Sequence, residues 1–97
     1  MAGVDSIRTQ RHHRLVELLV AARKQAGIRQ AELARRVGKT QTFVARFDAG
    51  QRRIDTIEFL ALCEVIGLDP LKVVRKLLKV EGELWRPARG RSKPASR

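Results

Sequence analysis

The chain has 97 residues, 43% of them hydrophobic, and carries 21 Lys and Arg against 10 Asp and Glu, a net charge of +11. That length buries one modest core, so a single domain is expected, and the charge favours a polyanionic partner: DNA, RNA or an anionic membrane surface. One cysteine, Cys63, excludes a disulfide framework and a Cys-based zinc site, and no signal peptide or apolar run near the ~18 residues of a membrane span is present, so a cytoplasmic, nucleoid-associated protein is expected.

Residues 1–8 carry no strong pattern and read as a flexible N-terminus. From about 9 to 25, Leu15, Leu18, Leu19, Ala22 and Ala26 recur at helical spacing, and Gly27 closes this first helix. Its first turns are basic, with Arg8, Arg11 and Arg14. His12 and His13 are adjacent, point to different sides of a helix and make a poor chelating pair, so they read as a solvated helix start rather than a metal site.

The second helix spans Gln30 to Val37, with Leu33, Ala34 and Val37 on one face and Glu32, Arg35 and Arg36 opposite. Gly38 ends it, with positive φ expected, and Thr40 is placed to cap the third helix, Gln41 to Asp48. In that helix Phe43, Val44 and Phe47 form a narrow apolar stripe. Opposite lie Thr42, Ala45 and Ala49, flanked by Gln41 and Arg46. An ordinary solvated face is richer in Glu and Lys. Two central alanines allow close approach, and Gln and Arg can make paired hydrogen bonds to base edges, the composition of a helix suited to a major groove.

A basic loop, GQRR at 50–53, leads to Asp55, which opens the fourth helix with Glu58 three residues on, a capping-box pattern. This helix is apolar on two faces: Phe59, Leu62, Cys63 and Ile66 on one, and Ile57, Leu60, Ala61 and Val65 on the other. It is therefore expected to be central or half of an interface. Asp69-Pro70 starts the fifth helix, which is expected to reach about Val80 with Leu71, Val74, Leu77 and Leu78 inward and Lys72, Arg75, Lys76 and Lys79 outward. The folded domain is thus placed at 9–80. Residues 81–97 read as a basic, disordered tail, because 86–97 hold two Pro, one Gly, five basic residues and no acid.

The pattern from Leu15 to Leu78 resembles the lambdoid repressor and Cro class of helix-turn-helix domains, the XRE family. The likeness rests on Gln30 opening the second helix, the Leu33-Ala34 pair, the turn glycine Gly38, Val44, the acid at Asp48 and the closing Gly50, with flanking helices on both sides. The family implies an all-α fold: a five-helix repressor-like bundle with the helix-turn-helix in helices 2 and 3. It implies base reading by Gln41, Thr42 and Arg46, phosphate contact by Gln30, Lys39, Thr40, Arg52 and Arg53, and a structural ion pair between Arg23 and Asp48. The chain departs from many relatives at Ala45, where they carry Ser, and at Asp48, where they carry Glu.

The expected function is a sequence-specific regulator of transcription that binds double-stranded DNA as a homodimer on a palindromic operator. The second face of helix four, the end of helix five and Trp85 form the candidate dimer interface, the alternative being that Leu84 and Trp85 or helix one cover that face. A rival is a helix-turn-helix module used for protein–protein contact. RNA binding is another, but Phe43, Phe47 and Phe59 fall at core positions rather than on a stacking surface. No carboxylate pair, nucleophile–base set, phosphate loop or metal cluster is visible, so no enzyme activity, cofactor, metal or small-molecule ligand is expected.

Overall fold

The computed structural model describes residues 9–80, and within them the chain forms helices and no strands. The five helices are α1 Gln10–Gln25, α2 Gln30–Val37, α3 Gln41–Asp48, α4 Thr56–Ile66 and α5 Pro70–Leu78. The expectations for residues 1–8, for Leu84 and Trp85, and for the basic tail lie outside the described residues.

Local signals set the helix ends. Thr9 precedes α1 and its Oγ1 accepts the His12 N–H at 3.1 Å. Thr40 caps α3 by accepting the Phe43 N–H at 3.1 Å. At α4 the capping box is complete: Asp55 Oδ1 accepts the Glu58 N–H at 2.7 Å, and Glu58 Oε1 accepts the Asp55 N–H at 2.9 Å. Asp69 caps α5 ahead of Pro70. Gly38 ends α2 in the left-handed region at φ 74°, which lets the Lys39 N–H reach back to the Ala34 carbonyl at 2.9 Å. A side chain there would be strained, so the tight turn into α3 depends on this glycine.

The core lies where α2 packs on α3 and α4, with α1 across α3, α4 and α5. Leu19, Ile28, Leu33, Ala34, Phe43, Val44, Phe47, Leu62 and Cys63 form it, and Leu15, Val16, Val37, Ile54, Phe59, Val65, Ile66 and Leu68 pack around it. Burying each of the larger side chains is worth about 1.5–3 kcal/mol. Burial also pushes the Cys63 thiol up to about 11, with a further push from the charge of Asp69.

Two expectations are corrected. α5 ends at Leu78 rather than Val80, and its buried residue is Val73; Leu77 is half-buried, while Leu71, Val74 and Leu78 are exposed. Its apolar residues form one broad arc with Val73 at its edge, so periodicity does not say which part of the arc is buried; packing against α1 does. His12 is the second correction. It is buried at 8% exposure and sits edge-on to Phe47, with ring centroids 6.4 Å apart, because the first turn of α1 folds over α3. His13 is exposed.

Candidate nucleic-acid interface

With Phe43, Val44 and Phe47 buried, helical geometry turns the rest of α3 outward. Gln41, Thr42, Ala45, Arg46 and Ala49 are all exposed. Among the described residues, the side chains of Gln41, Thr42 and Arg46 bond no other side chain, so their donors and acceptors face solvent. An open depression beside them is lined by Gly38, Lys39, Thr40, Thr42, Phe43, Arg46 and Arg52. It is a shallow, cationic surface with Phe43 in its lining.

Lys39 and Arg52 are brought together there from the two ends of α3. Lys39 Nζ lies 5.3 Å and the Arg52 guanidinium 4.4 Å from the Phe43 ring centroid, within cation–π range. Glu58 ties them: Oε2 is 2.9 Å from Lys39 Nζ, and Oε1 is 3.2 Å from Arg52 Nη1. Arg52 also donates to the Arg53 carbonyl. Partial burial works to raise the Glu58 carboxyl, but the Asp55 N–H, Lys39 and Arg52 together hold it below the usual carboxylate range. Thr40 is exposed and spends one lone pair on its cap, so its hydroxyl proton is still available to donate. Arg53 is exposed on the same loop.

A second cluster fixes how α3 meets α1 and α2. Arg23 Nη2 donates to Asp48 Oδ2 at 2.6 Å, with side chains 8% and 13% exposed. Arg23 Nη1 donates to the Ile28 carbonyl at 2.8 Å. Gln30 Nε2 donates to the same Asp48 Oδ2 at 2.8 Å. One guanidinium thus joins the end of α1, the α1–α2 loop and the last turn of α3. Gln30 is bonded to this cluster rather than to the Lys39–Arg52 group, and the second N–H of its amide is uncommitted among the described residues. At the start of α2, Arg29 stands at the N-cap without a side-chain cap bond, so the first amides of the helix have no side-chain acceptor from it.

In the sequence Glu58 stands out only as a helix-capping residue. Its contact with Lys39 and Arg52 has no signature in spacing, since it arises from the docking of α4 beside the α2–α3 turn. Among the described residues no group of His, Cys, Asp and Glu could hold a metal ion, and no helix is long and apolar enough to cross a membrane.

Comparison with known proteins agrees with the helix-turn-helix fold. A family profile described as helix-turn-helix matches residues 19–73. Among solved structures, an XRE-family like protein from Pseudomonas syringae pv. tomato is 46% identical, with a TM-score of 0.66 over 70% of this chain and 83% of that one. The clp gene regulator ClgR from Corynebacterium glutamicum shares the fold at 16% identity, with a TM-score of 0.65 over 72% of this chain and 74% of that one. The restriction-modification controller protein C.AhdI from Aeromonas hydrophila does so at 24% identity, with a TM-score of 0.57 over 67% of this chain and 99% of that one. No curated protein matches the sequence. With a matched profile over more than half its length and a 46%-identical XRE-family like structure, the chain belongs to the XRE-type helix-turn-helix family of DNA-binding regulators.

Proposed function

We propose that the chain is a sequence-specific regulator of transcription that inserts α3 into the major groove of duplex DNA, binding as a homodimer to a palindromic operator. The observation that carries this reading is the outer face of α3: Gln41, Thr42 and Arg46 are exposed around Ala45 and Ala49, beside a cationic depression. Arg46 is matched to guanine O6 and N7, Gln41 to adenine N6 and N7, and the Thr42 methyl to thymine. Lys39, Thr40, Arg52 and Arg53 take backbone phosphates and set register. Gln30 and the first amides of α2 take a further phosphate, since the free N–H groups and the helix dipole favour an anion there.

The dimer is supported by apolar residues left at the surface: Ile57, Leu60, Leu71, Val74 and Leu78, each between 40% and 73% exposed. A two-fold pair would set two α3 helices on half-sites about one helical turn, ~34–36 Å, apart.

Selection from random duplexes yields the target, after which two substitutions separate the roles. Arg46→Ala relaxes preference at one base pair by about 1–3 kcal/mol. Arg52→Ala weakens binding without relaxing preference at any one base pair and makes the salt dependence shallower by about 0.9 in log–log slope. Loss of non-specific affinity alone in both variants would rule out α3 as the reader.

A further inference from the structure

Glu58 lies outside both the base-reading and the phosphate-binding sets, yet it grips two cations of the latter. Its side chain is 12% exposed, whereas those of Lys39 and Arg52 are 39% and 38% exposed. Both carboxylate oxygens are engaged. Oε1 accepts from the Asp55 N–H at 2.9 Å and Arg52 Nη1 at 3.2 Å; Oε2 meets Lys39 Nζ at 2.9 Å and Arg52 Nη2 at 3.4 Å. Lys39 precedes α3 and Arg52 follows it, so a single acid on α4 links the cations at both ends of the helix. The Phe43 ring beneath them removes one side from their range of motion.

We infer that Glu58 is a positioning residue that sets the specificity of DNA binding, by holding Lys39 and Arg52 in one arrangement and offsetting their charge toward duplexes that do not fit. This rests on the duplex-reading function proposed above. Two physical consequences carry it. Long Lys and Arg side chains left loose follow phosphates wherever these lie, which favours every sequence equally. Fixed beside one carboxylate, they keep donors free, because an ammonium has three and a guanidinium five. Those donors face a phosphate well only where α3 is seated in register. Away from register the negative charge of Glu58 remains, and it repels the backbone of any duplex that approaches loosely.

The test is Glu58→Gln, which keeps the side-chain length and can still accept from the Asp55 N–H, since Gln serves at this position of a capping box. Wild type and variant are titrated with the selected duplex and a scrambled duplex of the same length across about 0.05–0.2 M salt. The expected result is a scrambled-duplex affinity raised up to about eightfold at ~0.1 M salt, with a log–log slope steeper by about 0.9. The selected duplex gains less, so the ratio of the two affinities falls. In a Lys39→Ala/Arg52→Ala background the same substitution still raises affinity for both duplexes by removing a negative charge, but it no longer lowers their ratio, which a purely structural role of Glu58 would not produce. Glu58→Asp is the second variant. It keeps the charge but withdraws it by one methylene, so the slope stays as in wild type while the ratio falls. A wild-type slope and ratio in Glu58→Gln overturns the inference, as does an equal fall in the ratio once the two cations are gone. A wild-type protein with no preference among duplexes overturns the duplex-reading function itself, and this inference with it.

Discussion

Arg23→Ala is expected to damage the fold far more than it alters sequence preference. The guanidinium is 8% exposed on its side chain and holds Asp48 Oδ2 at 2.6 Å and the Ile28 carbonyl at 2.8 Å. Its removal leaves the Asp48 carboxylate, 13% exposed, with the Gln30 amide as its remaining side-chain donor. Breaking a buried pair from one side costs about 3–5 kcal/mol, while a domain of this size holds roughly 4–11 kcal/mol in total. The melting midpoint should therefore fall by on the order of 12–40 °C. Thermal and urea melts followed by circular dichroism at 222 nm read this directly. The paired substitution Arg23→Met/Asp48→Leu should recover much of the loss, because replacing both partners by apolar groups avoids the stranded charge. An Arg23→Ala midpoint within about 3 °C of wild type, less than 1 kcal/mol, would refute the reasoning.

Three further outcomes are expected. Leu71 is 65% exposed, so Leu71→Asp should leave the intrinsic stability of the fold within about 0.5 kcal/mol of wild type. It should nonetheless weaken self-association at least about tenfold by sedimentation equilibrium, and an unchanged association constant would remove α5 from the interface. Because the folded Glu58 carboxyl lies below its unfolded value, its contribution to stability is complete at neutral pH. That contribution is lost as pH falls through the depressed folded value. Glu58→Gln should flatten this acid limb in pH-dependent urea melts, and an acid limb identical to wild type would contradict the assignment. Cys63, 1% exposed with its thiol pushed up to about 11, should react with a thiol reagent at mildly alkaline pH only as the chain unfolds; rapid labelling of the native protein would show that α4 is not packed as described.

The helix-turn-helix and the ends of its helices are legible in the sequence, because the signals that make them act over a few residues. Thr40, Asp55 and Asp69 each accept an N–H two or three positions on. Gly38 supplies the turn conformation by itself, and the Phe43–Val44–Phe47 stripe follows from helical geometry alone. Once that stripe is inward, Gln41, Thr42 and Arg46 have nowhere to face but out. Arg23 and Asp48 lie 25 residues apart, and their pairing comes from family resemblance rather than from any local pattern.

The remaining features arise between elements. The roll of α5 was open because five of its nine residues are apolar leucines and valines, and contact with α1 chose Val73 over Leu71, Val74 and Leu78. His12 is buried because α1 crosses α3, a contact with no trace in the sequence of either helix. The attachment of Lys39 and Arg52 to Glu58 arises in the same way. Ion pairs and ring contacts depend on where whole helices dock, and docking is set by the shape of the shared core rather than by any residue's neighbours in the chain.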